Sequence, residues 1–154
     1  MRKIAPIIAA VTVLALYGLD NLRDDSTISQ PSVQAPQTES AAAAGDSLIQ
    51  AAYENRQSDV QVEGAGRVVK VLPDDNKGSR HQKFILELAS GQTLLVAHNI
   101  DLAPRIPDLR EGDRVSFYGE YEWNERGGVV HWTHHDPQGR HVDGWLKHQG
   151  KRYQ

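Results

Sequence analysis

The 154-residue sequence has no cysteine, which excludes a disulfide framework, a thiolate metal site and redox chemistry at sulfur. Any metal must be held by imidazole and carboxylate. A surplus of positive charge is also missing. The formal net charge is -3, and from residue 46 onward 14 Lys and Arg face 16 Asp and Glu. General nucleic-acid binding is therefore not expected, because its affinity is mostly phosphate neutralisation. The sequence has no internal repeat. Residues 23–45, RDDSTISQPSVQAPQTESAAAAG, contain almost no large apolar side chain. They cannot bury enough surface to offset their ordering entropy, and a disordered linker is expected there.

Ahead of that linker, Arg2 and Lys3 precede the apolar run IAPIIAAVTVLALYGL, and Asp20, Asp24 and Asp25 come after it. Positive charge before such a run and acidic charge after it predict export, with residues 1–22 acting as a signal peptide or membrane anchor. The run is longer than a usual signal-peptide core and slightly shorter than a comfortable span of ~20 residues. Small residues at a cleavage offset are poor, which favours an anchor in the inner membrane. The rest of the chain is then extracytoplasmic, whether periplasmic or secreted.

Residues 46–154 form the expected folded domain. A short helix over LIQAAYENR, capped by Asp46 or Ser47, places Leu48, Ala51, Ala52 and Asn55 at helical spacing. Beyond it the period changes to two. EGAGRVVKVL reads as a strand bent at Gly64 and Gly66, and HQKFILELASGQTLLVAH as a hairpin turning at Ser90-Gly91 with Phe84, Leu86 and Leu88 inward. NIDLAPRIPDL, with two prolines, is a loop. REGDRVSFYGEYEW gives another strand, with Val115, Phe117, Tyr121 and Trp123 on one face and Ser116, Tyr118, Glu120 and Glu122 on the other. The expected fold is mostly β: a small antiparallel barrel or strongly bent sheet behind one short N-terminal helix.

GRVVKVL, the hairpin, the irregular connection and EGDRVSFYGEY resemble the OB-fold plan over about residues 60–135. More closely, RHQKFIL, LLVAHNIDLAPRIP, GEYEWN and HWTHHDPQGRHVDGW resemble a bacterial family of small exported proteins classed only as a domain of unknown function. That resemblance implies no activity.

The last of these stretches packs His131, His134, His135, His141, Asp136, Asp143, Trp132 and Trp145 around a Pro137-Gly139 turn. Pro137 fixes φ near ~-65° and rules out a type I′ turn, leaving a type I turn with Gly139 left-handed. The register then pairs His135 with His141 and His131 with Trp145. Val130, Trp132, Val142 and Leu146 fall on the core face. His131, Thr133, His135, His141, Asp143 and Trp145 fall on the polar face. Opposed Cβ atoms are ~5 Å apart, so His135, His141 and Asp143 converge into a candidate site for zinc or another divalent metal. Glu120 and Glu122 are candidates for a further ligand or general base. A solvated sheet face would carry the same residues. His134 reads as a structural histidine, Trp132 as core, and His131 with Trp145 as ligand contacts.

Arg80, His81 and Lys83 are further candidates to contact an anion, against the reading of a solvated strand end. Asn99 and Asp101 are expected to hydrogen-bond the proline-containing loop into shape. Three functions fit these residues. The first is an extracytoplasmic OB-like binding module using a divalent metal on a polar sheet face. The second is a metal-dependent phosphodiester hydrolase, in which Glu120 or Glu122 is the base and Arg80 or Arg140 steadies the phosphate. The third is an envelope interaction protein. Ligand and partner, whether a small molecule, nucleic acid or envelope protein, are not specified by these residues.

Overall fold

The computed structural model describes the backbone of residues 35–154 and the side chains of residues 41–154. The N-terminal apolar run and residues 23–34 of the expected linker lie outside the described residues. Among the described residues one helix, α1 (Ala35–Glu54), precedes seven strands: β1 (Val60–Asp75), β2 (His81–Glu87), β3 (Thr93–Asn99), β4 (Arg114–Glu122), β5 (Val129–His131), β6 (Trp145–His148) and β7 (Lys151–Tyr153). Among the described residues no helix is long and apolar enough to cross a membrane.

The helix begins earlier than its sequence pattern suggests. Residues 35–45, read above as linker, form its first half. Pro36 falls in the first turn, where its missing N–H breaks no helical bond, and the alanine run has the highest helix propensity. Asp46 does not cap the helix but accepts the Ala89 N–H at 2.8 Å, tying α1 to the β2–β3 turn. The buried stripe is Gly45, Ile49 and Ala52, one residue over from the expected one, and Leu48 faces solvent.

Five strands close a ring in the order β1-β2-β3-β5-β4, with β4 pairing back onto β1. Closure depends on the length of β1. Its first half, Val60 to Arg67, pairs with β4, and its second half, from Arg67 on, pairs with β2. Gly64 and Gly66 sit before this switch, where a Cβ would meet the Phe117 ring at 2.7 Å and the Glu87 carbonyl at 2.8 Å. The register shifts fall slightly later, between Val68 and Lys70 and between Leu72 and Asp75. The sheet is mixed rather than antiparallel throughout: β3 pairs parallel with β5, at Leu95↔Val129 and Val96↔Val130. Parallel pairing there results from the chain leaving β3 through the long 100–113 connection and coming back through β4 before β5 starts.

Alternation holds in the ring strands. Phe84 and Leu86, Leu94 and Val96, Val115 and Phe117 with Tyr121, and Val130 face inward and are buried, joined by Ile49 and Ala52 from α1. The outward row of β4, Ser116, Tyr118, Glu120 and Glu122, is half-buried. One apolar interior thus leaves a continuous outer face on β2, β3, β5 and β4, and the polar residues of interest lie on it.

A candidate metal centre on the outer sheet face

The expected hairpin across the Pro137-Gly139 turn does not form as a ladder. β5 ends at His131 and β6 starts at Trp145, and the two pair with β4 at different heights rather than with each other. Between them the chain leaves and rejoins the sheet through a loop. Trp132 breaks the strand with φ 51°, and Gly144 brings the loop back so close that a Cβ would lie 2.0 Å from the Trp132 carbonyl oxygen. The turn itself has the expected form: Gly139 has φ 62° and its N–H donates to the Asp136 carbonyl. The loop is organised by the Asp136 side chain, which accepts the backbone N–H groups of Gln138, Arg140 and His141 at 2.7–2.9 Å. Those bonds, the Gln138 and His141 N–H foremost, stabilise the charged carboxylate and hold its pKa down to about 2.

The loop separates the residues that a ladder would have gathered. His135 Nδ1 contacts Asp143 on the exposed rim, with the two side chains 70% and 50% exposed. His141 turns away from them: its Nδ1 lies 3.4 Å from Glu120 Oε2, and its ring stacks on Trp132 at a centroid distance of 3.7 Å. His135, His141 and Asp143 therefore do not converge on one point. Val142 is solvent-exposed rather than core. Trp132 is half-buried and lies within 3.7 to 6.0 Å of His131, His134 and His141. Trp145 sits not beside His131 but against Tyr118, at 6.3 Å, with the Arg152 guanidinium 4.5 Å above its ring. His134 is buried and donates from Nδ1 to the His135 carbonyl, a structural contact.

Strand pairing does bring another set together. β4 and β5 place Glu120 directly opposite His131, with Glu122 two residues along on the same face. Among the described residues, Glu120, Glu122 and His131 each offer a ligand atom within 4.8 Å of the others. His131 Nε2 lies 3.6 Å from Glu120 Oε1 and 3.7 Å from Glu122 Oε1. These distances exceed those of a hydrogen bond, and the Nε2 atom is buried with no hydrogen-bond partner. Donors bound at ~2.1 Å to a tetrahedral ion stand ~3.4 Å apart, close to the observed spacing. Register also puts Gln61 of β1 opposite Glu120 on its other flank, and Gln61 Nε2 is likewise buried and unpartnered. Two orphaned nitrogens thus flank one carboxylate. The donor set of one imidazole and two carboxylates suits zinc or manganese and leaves coordination positions open for water or a ligand.

The basic candidates divide. Arg80 is committed to the loop: its backbone N–H and its Nε both donate to Asp101, each at 2.7 Å. Those bonds, with the Arg80 charge, hold the Asp101 carboxyl below its usual range. Asn99 joins in by accepting the Asp101 N–H at 2.9 Å. His81 and Lys83 point outward from β2, half-buried, with Lys83 Nζ 3.8 Å from Asp75. Arg140 is exposed on the loop, where its backbone N–H serves Asp136. Two buried polar residues, Gln82 and His98, carry roles that the sequence reading did not assign them. Gln82 forms a two-bond clamp on Ile106, donating to its carbonyl at 3.0 Å and accepting its N–H at 2.9 Å. His98 donates from Nε2 to the Pro104 carbonyl at 3.2 Å and accepts the Thr133 hydroxyl at Nδ1, 2.8 Å. Inward alternation of both positions beside a proline-rich loop was the available signal.

No curated protein matches the chain. Residues 32–154 match the family described as protein of unknown function (DUF3465), and the chain belongs to that family.

Proposed function

We propose that the domain is an extracytoplasmic, OB-like binding module that engages its ligand through a divalent metal held by Glu120, Glu122 and His131. The observation that carries this reading is the His131 Nε2 atom, buried without a hydrogen bond and facing two carboxylate oxygens at 3.6 and 3.7 Å. Without a cation that arrangement leaves a buried polar atom unsatisfied, at a cost of ~1–3 kcal/mol; an ion between the three donors removes the cost. His141, 3.4 Å from the other oxygen of Glu120, orients that carboxylate from behind. The closed five-strand ring supports the OB-like plan, and the charge asymmetry around residues 4–19 supports export. The phosphodiester hydrolase reading loses Arg80 as a phosphate contact, because that side chain is bonded to Asp101.

Calorimetry and elemental analysis of the full chain test this reading. One equivalent of zinc or manganese is expected in the parent, lost in Glu120→Gln and in His131→Ala, and retained in His135→Ala. A parent that binds neither ion overturns the proposal and leaves the face as a solvated sheet surface suited to an envelope partner.

A further inference from the structure

The metal centre is one wall of a wider feature. Going outward from Glu120 along the register, the same row continues through His131 on β5 and Ala97 on β3 to Lys83 on β2. Ala97 is the shortest side chain in that row, so the face dips between His131 and Lys83 into an open trough of about 430 Å³. Glu122 and His131 stand on one side, Lys83, His81 and Asp75 on the other, and Leu95 with Val129 form an apolar end. His131 and Lys83 are two strand spacings apart, ~9.6 Å, a gap that the flexible lysine stem and a metal–ligand bond shorten to the width of one small ligand.

The chemistry of the walls specifies that ligand. Two carboxylates neutralise a divalent ion on one side, so its open positions accept an oxygen donor without a large net charge opposing an anion. Lys83 supplies a cation on the other side. Its pairing with Asp75 at 3.8 Å joins two partly exposed groups and is weak, and Asp75 is already engaged by the Lys77 N–H at 3.0 Å. His81 adds a third polar group. Its Nδ1 lies 2.8 Å from the Ser79 carbonyl, which can only accept, so Nδ1 donates there and Nε2 is the ring nitrogen left for a ligand. A site with a metal, a cationic donor and an imidazole nitrogen matches a tetrahedral oxyanion with several oxygens to place. Direct coordination to the metal favours the more basic oxygens of phosphate and its monoesters over the weakly basic ones of sulfate.

Resting on the metal site proposed above, we infer that the ligand is a phosphoryl oxyanion seated in the trough between His131 and Lys83, with one oxygen on the metal and another on the Lys83 ammonium.

The test titrates the full chain with cobalt(II) as an optical probe, then adds inorganic phosphate or sulfate. Cobalt is expected to bind once, and phosphate to shift its visible band, with sulfate at least about tenfold weaker. Lys83→Met is expected to weaken phosphate about tenfold, the loss of one charge-assisted hydrogen bond, while leaving cobalt affinity unchanged. Arg152→Met removes the same charge at the far end of the sheet and should change neither. Cobalt binding with no response to phosphate overturns the inference alone, as does a Lys83→Met chain that binds phosphate like the parent. A chain that binds no cobalt overturns the metal site and this inference together.

Discussion

His98 makes the domain acid-sensitive by a calculable amount. It is fully buried on β3, and burial, the dominant cause, lowers its pKa from 6.5 to about 4, outweighing the Pro104 carbonyl, which favours the charged ring. The folded state therefore holds His98 neutral where the unfolded chain has already taken up a proton. Stability from this group is complete above pH 6.5, is lost as pH falls from 6.5 toward 4, and changes no further below that. At 1.36 kcal/mol per unit, the whole loss is ~3 kcal/mol, a large part of the stability of a small domain. Urea denaturation at half-unit steps from pH 7.5 to 4, on the parent and on His98→Gln, isolates the effect, because the other six histidines cancel in the difference. The parent should lose ~3 kcal/mol more than the variant across that window. Equal slopes for the two proteins would refute the reasoning and place the His98 ring in contact with water.

The same geometry sets three other outcomes. Gln82→Leu leaves the Ile106 N–H and carbonyl unpaired inside the protein and should cost ~3 kcal/mol in chemical denaturation, while the nearly isosteric Gln82→Glu at low pH should recover part of it. Gly45→Ala should destabilise, although alanine is the better helix former by ~1 kcal/mol, because the added Cβ would lie 1.6 Å from the Glu63 carbonyl oxygen and lift α1 off β1. A thermal melt reads the sign, and a rise in Tm would contradict the packing. Asp136→Ala should abolish amide-exchange protection at Arg140 and His141 and weaken metal binding, since His141 reaches Glu120 only from the ordered loop; in the parent, that protection should persist down to about pH 2, where Asp136 titrates.

Much of the ring was legible from period-two patterning. The Phe84, Leu86 and Leu88 face, the Val115, Phe117 and Tyr121 face and the Ser90-Gly91 turn appear as the sequence predicts. Placing Glu120 and Glu122 on the polar face was legible for the same reason. Two things were not. The parallel β3–β5 pair joins residues more than thirty positions apart, and no local pattern encodes that partner choice. The loop of residues 132–144 misled because turn chemistry at Pro137 and Gly139 is local, whereas the decision between a ladder and a loop belongs to β4. Its free edge accepts His131 at Glu120 and Trp145 at Tyr118. β5 and β6 then lie one after the other along that edge rather than side by side, so they cannot pair with each other, and Asp136 takes over as the organising acceptor of the loop between them. That substitution moved His141 from His135 to Glu120 and carried the candidate metal set from the loop onto the strands.

Crystals grown with zinc, measured on both sides of the zinc absorption edge, would locate the ion itself. One anomalous peak is expected within ~2.0–2.2 Å of His131 Nε2 and of an oxygen from each of Glu120 and Glu122. A peak on His135 and Asp143 instead, or none on the sheet face at a saturating concentration, would contradict the metal centre on β4 and β5.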